Sequence, residues 1–150
     1  MRIETPGIGD RGWLELRLRL WPEFPEAEHS HDMGDAVARG HFVRVAVTAS
    51  GSAIGFVEAS KRVDYVNGTT SSPVAFLEGL YVEPPWRLKG VARALVELVE
   101  AWAAAEGCTE LASDSPLENS AAHAAHRALG FEETERVVYF RKAVCQRGSP

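Results

Sequence analysis

Val74-Ala75-Phe76-Leu77-Glu78-Gly79-Leu80-Tyr81-Val82, followed closely by Pro85-Trp86-Arg87-Leu88-Lys89-Gly90-Val91-Ala92, is the stretch on which the fold turns. The first run is apolar and contains aromatics, the pattern of a buried strand. Past the second run, Val91, Leu95, Leu98, Val99 and Trp102 recur at i, i+4, i+7, i+8 and i+11, one apolar face of a helix that Gly107 ends. The unit is strand, short basic loop with a glycine, helix. Such a loop aims free backbone N–H groups at whatever sits above the helix N-terminus, which suits a phosphate or pyrophosphate. Arg87, Lys89 and Arg93 add positive charge there, although solvated loop charges would look the same.

Working outward, Arg2 to Thr5 reads as a short strand and Trp13 to Trp21 as a helix stopped by Pro22. Pro22 to His31 reads as an acid-rich loop and Asp32 to Arg39 as a short helix. Phe42 to Ala49 and Ala53 to Tyr65 read as strands joined at Ser50-Gly51-Ser52, with a turn from Val66 to Pro73. Beyond the central helix come a strand (Cys108 to Ser113), a helix (Asn119 to Leu129), a last strand (Val137 to Lys142) and a frayed tail from Gln146 to Pro150. The class is α+β. The strands before and after the Val91–Glu106 helix should be parallel neighbours joined by a right-handed crossover.

The 150 residues suffice for one domain with a real core, spanning 1–150. A net charge of −5 argues against nucleic acid as the main partner and suits a cationic small molecule, though acidity also simply serves solubility. Arg93, Glu97 and Glu100 interrupt the longest helix, so no membrane span is expected. The first residues have no apolar signal core, and two cysteines are too few for a disulfide framework. The cytoplasm is the expected location. His29-x-His31 and His123-x-x-His126 have metal-like spacings, but no Cys or acid completes a ligand set, and no metal is expected.

The segment Arg87-Leu88-Lys89-Gly90-Val91-Ala92 resembles the R/Q-x-x-G-x-G/A signature of the GNAT superfamily of N-acetyltransferases. It follows a strand and opens a helix, and Asn119 and Leu129-Gly130-Phe131 stand downstream as the family's second region requires. The resemblance implies the GNAT fold, a mixed sheet of six to seven strands with about four helices. It implies acetyl-CoA as donor, with pyrophosphate on Arg87, Leu88, Lys89, Gly90, Val91, Ala92 and Arg93. The pantetheine would lie beside Leu80, Tyr81 and Val82, and Asn119 would contact the pantetheine or thiol region.

A finer likeness lies outside the cofactor loop. Leu20-Trp21-Pro22, Tyr65-Val66-Asn67-Gly68-Thr69, Ser72-Pro73-Val74-Ala75-Phe76-Leu77-Glu78-Gly79, Ala112-Ser113-Asp114 and Glu133-Thr134-Glu135-Arg136-Val137-Val138-Tyr139-Phe140 look like the bacterial aminoglycoside 6′-N-acetyltransferases. That likeness implies a cationic aminoglycoside against Trp21, Phe24, Tyr65, Glu78, Asp114 and Glu135, and a homodimer in which the Tyr65 loop reaches a neighbouring subunit's cleft. One departure stands out. Where many members of the superfamily have a tyrosine four residues before the glycine of the G-F pair, this chain has His126.

The chemistry can be set against these residues. Acetyl transfer needs a held thioester, a polarised carbonyl, a neutral amine and a protonated leaving thiolate. A backbone N–H freed near Tyr81 or Val82 would polarise the carbonyl, and Gly79 invites the bulge that frees it. Glu78 and Asp114 lie near the C-terminal ends of neighbouring strands, where open sheets bind ligands, and either can take the amine's proton. Glu78 sits inside an apolar run, where an acid without a purpose is rare; Asp114 could equally cap a turn before Pro116. His126 is suited in type to protonate the thiolate, because imidazole exchanges protons near neutrality; a histidine that merely packs is the alternative. Two other functions fit the same residues: acetylation of another small amine or a protein N-terminus, and a silent module that binds acyl-CoA or the drug.

Overall fold

The computed structural model describes residues 1–146. The elements run β1 (Arg2–Glu4), α1 (Arg11–Leu20), α2 (Glu26–Ala38), β2 (Phe42–Val47), β3 (Ala53–Arg62), β4 (Val74–Val82), α3 (Val91–Ala105), β5 (Leu111–Ala112) and α4 (Ser120–Ala128). A 3₁₀ turn at Pro84–Trp86 separates β4 from the basic loop. The strands lie in the order β1-β2-β3-β4-β5. The first four pair antiparallel, and β5 runs parallel to β4 across the α3 crossover, as the sequence requires.

Strand alternation gives the sheet two apolar faces. Phe42, Ala46, Val57, Ala59, Leu77 and Val82 face α3, where Val91, Leu95 and Val99 complete the core. Val43, Val45, Val47 and Phe56 face the other way, onto Trp13, Leu14 and Leu16 of α1 and Met33 of α2. Each buried Val or Leu of α3 is worth about 1.5–3 kcal/mol relative to exposure. That burial holds α3 on the sheet and fixes its N-terminus beyond the end of β4. Val96 and Ala103 belong to the buried face, whereas Leu98 is 38% exposed and Trp102 is only partly buried, stacking on Phe42.

Several expectations need correction. The sheet of the described residues has five strands, not six to seven. Val137 to Lys142 has the alternation of a strand but pairs with no edge among the described residues, and Val138, Tyr139 and Phe140 are 72%, 81% and 92% exposed. The strand expected from Cys108 to Ser113 pairs only at Leu111–Ala112, and β3 ends at Arg62 rather than Tyr65. The acid-rich stretch after Pro25 is the first half of α2, not a loop. Glu26 and Glu28 occupy the first helical turn, where carboxylates are favoured by the helix dipole. Of the expected tail, Gln146 has no regular structure and 147–150 lie outside the described residues.

Candidate active site

β4 is used on both of its edges. On the β3 side, Glu58 pairs with Gly79 and Ala59 with Leu77, leaving Glu78 as the extra residue of a β-bulge. The bulge changes which way the strand's groups point. Before it, Ala75 donates its N–H to Glu110 O on the β5 side; after it, Glu83 donates to Ile54 O on the β3 side. Strict alternation would put residues 75 and 83 on the same side, so the bulge inverts the parity. The N–H groups of Leu80 and Val82 therefore point to the β5 edge, and Tyr81, paired with Phe56, points to β3.

That β5 edge is open. β5 pairs with β4 only at Ala75–Leu111 and Phe76–Ala112, and from Leu77 onward the two strands part. The register at the fork is held by Glu110, whose carboxylate accepts from Ser71 Oγ at 2.5 Å and Thr70 N at 2.9 Å. The Ser71 hydroxyl, then the Thr70 N–H, hold this carboxyl below the usual carboxylate range.

The loop beyond β4 follows from its own residues. Arg87 Nε donates to Val82 O at 2.8 Å, and its guanidinium lies over the Tyr81 ring. Lys89 lies over Trp86, with Nζ 5.4 Å from the ring centroid. Gly90 sits at the α3 N-cap with φ +83°, a left-handed conformation that glycine adopts without strain. It offers no capping side chain, so the N–H groups of the first turn of α3 stay free for an anion. Arg93 reaches away, donating to Ala128 O at 2.8 Å at the C-terminal end of α4.

On the opposite face a cleft of about 250 Å³ is lined by Arg17, Trp21, Asp32, Asp35, Ala36, His41, Glu58 and Glu78. The bulge puts both Glu78 and Gly79 on this face, and a Cβ on Gly79 would stand 2.6 Å from Cη2 of Trp21. Glu78 accepts from Ser60 Oγ at 2.5 Å and Arg62 Nη2 at 2.9 Å, both on Oε1. Glu58, which sequence reasoning missed, is 4% exposed and accepts from Trp13 Nε1 at 2.7 Å and from the Arg17 guanidinium, again on Oε1. Arg17 also donates through Nε to His29 Nδ1 at 3.2 Å. Because arginine only donates, Nδ1 is an acceptor, and His29 Nε2–H donates to Trp21 O at 3.0 Å. The buried Arg17–Glu58 pair thus anchors the backbone that carries Trp21, and Arg17 lies over the Trp21 ring at 4.8 Å. Four carboxylates line the cleft, and with Arg17, Arg39 and Arg62 paired to Glu58, Asp35 and Glu78 one acid remains in excess, which suits a cation.

The remaining expected residues are placed as follows. Phe24 is 43% exposed and packs edge-on to His29. Tyr65 is 75% exposed, Asp114 and Glu135 are exposed, and none of the three lines the cleft with Glu78. Asn119 caps α4, its Oδ1 accepting from Ala122 N at 3.0 Å. His126 bonds Ser113 Oγ through Nε2 at 2.8 Å and Ala122 O through Nδ1 at 2.6 Å. His29 and His123 each contact a backbone carbonyl, and among the described residues no three His, Cys, Asp or Glu side chains gather as a metal set.

Residues 12–131 match the acetyltransferase (GNAT) family model. This chain is a member of the GNAT acetyltransferase family. An aminoglycoside N(6′)-acetyltransferase type 1 of Stenotrophomonas maltophilia is 56% identical to this acetyltransferase, over 94% of this chain and 91% of its own length. The crystal structure of aminoglycoside antibiotic 6′-N-acetyltransferase AAC(6′)-Ih from Acinetobacter baumannii superposes with a TM-score of 0.91 at 46% identity, covering 95% of this chain and 98% of that one. AAC(6′)-Iy, solved with the bisubstrate analogue CoA-S-monomethyl-acetylneamine, superposes at 0.88 with 44% identity, covering 95% and 98%. Among the described residues, no helix of this acetyltransferase is long and apolar enough to cross a membrane.

Proposed function

We propose that this chain transfers the acetyl group of acetyl-CoA directly to the 6′-amine of aminoglycoside antibiotics, and that this gives resistance to them. One observation carries the reading: β4 presents an open backbone edge toward the basic loop and, through its bulge, an acid into an anionic cleft. The relatives named above, at 44–56% identity over nearly the whole chain, support the same donor and acceptor.

The roles follow from the geometry. The free N–H groups at the start of α3, with Arg87, Leu88, Lys89, Gly90, Val91 and Ala92, receive the pyrophosphate. The Leu80–Val82 edge pairs with the pantetheine amides as a strand would, and an N–H of that edge polarises the thioester carbonyl. The protonated drug enters the acidic cleft beside Trp21. Glu78, directly or through a water, takes the proton that makes the amine a nucleophile. Acetylation converts an ammonium into a neutral amide, so the product loses the charge for which the cleft is built. Cys108 and Cys145 are free thiols, in keeping with a reaction in the cytoplasm.

The test is CoA release, followed with a thiol reagent, when acetyl-CoA meets kanamycin or tobramycin, with a 6′-hydroxyl aminoglycoside as control. Release with the 6′-amines alone is expected. Release only with some other amine discards the drug and keeps the donor site. Glu78→Gln should lower kcat about 100-fold or more while calorimetry shows acetyl-CoA binding unchanged; full activity in that variant removes Glu78 from the mechanism.

The same reading includes a homodimer, supported by the segment after Phe131. Thr134 packs closely on Gly68, but Val137, Val138, Tyr139, Phe140 and Val144 are exposed by 42–92%. A run of large apolar side chains left in water marks an interface. The occupant is a second copy of this chain: each arm carries a strand pattern, and among the described residues the outer side of β5 is an unpaired edge. In that dimer Tyr65 and Glu135 serve the neighbouring subunit's acceptor site. Light scattering should give twice 16.4 kDa, falling toward the monomer in Phe140→Asp. A 16.4 kDa species of the parent chain at every concentration overturns the dimer.

A further inference from the structure

We infer that Ser113, rather than His126 itself, hands the proton to the departing CoA thiolate, with His126 as the group that resupplies it. This rests on the acetyl-transfer reading above and assigns the one step that reading leaves open.

Ser113 is the first residue after β5, on the strand that has just parted from β4. It is half-buried and stands one step past the Phe76–Ala112 pair, beside Leu77, where the fork that leads to the Leu80–Val82 edge opens. Both ring nitrogens of His126 are engaged. Nδ1 lies 2.6 Å from Ala122 O, and a carbonyl only accepts, so Nδ1 carries a hydrogen in every charge state of the ring. Nε2 lies 2.8 Å from Ser113 Oγ. Phe131 closes the ring edge-on at 5.2 Å. The imidazole is thus fixed by three contacts, and the polar atom it leaves to meet a ligand is the serine oxygen.

The pair has two states. With neutral His126, Nε2 is bare and accepts the Ser113 O–H, so the hydroxyl proton points inward. With the imidazolium, Nε2–H donates to Oγ, and the Ser113 O–H turns outward. Only the second state can serve a leaving group. As the tetrahedral intermediate collapses, the C–S bond breaks and its electron pair stays on sulfur. The sulfur takes the Ser113 Oγ proton while Oγ takes the Nε2 proton, so no free alkoxide forms. The products are CoA thiol, acetamide and neutral His126, still bonded to Ala122 O through Nδ1. The proton given up by the amine leaves separately through Glu78, and solvent reprotonates the ring.

A group that only packs would affect folding or KM. A proton donor sets kcat and its alkaline limb, because activity falls as the imidazolium is lost with rising pH. The experiment measures CoA release against pH for the parent chain and for Ser113→Ala, Ser113→Thr and His126→Ala, with melting curves as the check on folding. Ser113→Ala should lower kcat about 100-fold with both KM values nearly unchanged, and its alkaline limb should vanish. Ser113→Thr, which keeps the hydroxyl, should keep most of the rate and the limb. His126→Ala should match Ser113→Ala, and the double variant should lose little more, as for groups acting as one unit.

Parent-like kcat and pH profile in Ser113→Ala overturn the relay. So does a fall in Ser113→Thr as deep as in Ser113→Ala, and so does a His126→Ala loss with Ser113→Ala intact, which would make the histidine the direct donor. If the parent chain acetylates a different amine, the aminoglycoside reading fails, and the same variants decide the relay on that amine. Silence with every amine overturns both.

Discussion

The two halves of the site are built in different ways. The proposed donor half is one continuous segment: β4, a turn, the loop Arg87–Gly90 and α3. Its working groups are mostly backbone N–H, held by a left-handed glycine and a strand edge that its neighbour has left. The proposed acceptor half gathers Arg17 and Trp21 at the end of α1, Asp32 and Asp35 on α2, Glu58 on β3 and Glu78 on β4. Its working groups are side chains, held by a buried ion pair and by packing. A backbone site tolerates sequence change wherever the chain path is kept. A side-chain site fails when one member is lost.

The sharpest test of that contrast is the ion pair. Glu58 and Arg17 are both nearly fully buried, and the remaining partners of Arg17 are His29 and, at 3.7 Å, Asp32. Glu58→Gln leaves a buried guanidinium without its main counter-charge. The expected loss is about 3 kcal/mol, a fall in melting midpoint of roughly 6–12 °C for a chain of this size. Replacing both members with methionine should recover much of it, since apolar pairs of similar volume often match a buried ion pair. Thermal denaturation of the two variants beside the parent decides it. A Glu58→Gln chain as stable as the parent would mean that packing alone holds the acceptor face.

The same contrast explains what the sequence made legible. The sequence pattern marks β4 with its observed bounds, and α3 to within one residue, because an apolar run and a 3.6-residue period are local signals. The capping roles of Gly90 and Asn119 are equally local. An acid inside an apolar strand is conspicuous, and Glu78 does line the cleft. Glu58 carries the same signal between Phe56 and Ser60, yet its partners Trp13 and Arg17 are more than forty positions away. Nothing local announces such a pairing. Gly79 invites a bulge, but only the register with β3 fixes which N–H groups it turns outward, and only the short pairing with β5 places the fork. Val137–Lys142 shows the limit of pattern alone, since alternation declares a strand without naming the edge that it pairs with.

A smaller effect is expected where the halves touch. Gly79 lets Trp21 lie against β4: an added Cβ would come within 2.6 Å of Cη2 and 3.0 Å of Cζ2 of the indole. Gly79→Ala must therefore tilt Trp21 or shift the bulge, an overpacking cost of about 1–3 kcal/mol. The KM for the amine should rise, while calorimetric affinity for acetyl-CoA stays near that of the parent. Equal losses for both substrates would show that the bulge couples the halves, and the division drawn above would have to give way.

The smallest effect belongs to the donor loop. At Gly90 an added Cβ meets no atom within 4 Å, so Gly90→Ala introduces no clash. The cost is conformational: φ is +83°, and a left-handed residue with a Cβ costs about 1 kcal/mol. Relaxing that strain would tilt the first turn of α3 and turn its free N–H groups away from the pyrophosphate. Affinity for acetyl-CoA should fall about fivefold if the whole cost appears in binding, with the amine KM unchanged. An alanine chain that binds acetyl-CoA as the parent does, yet melts lower, would place the strain in folding and leave the loop geometry intact. Loss of amine affinity instead would contradict a donor half that stands on its own backbone.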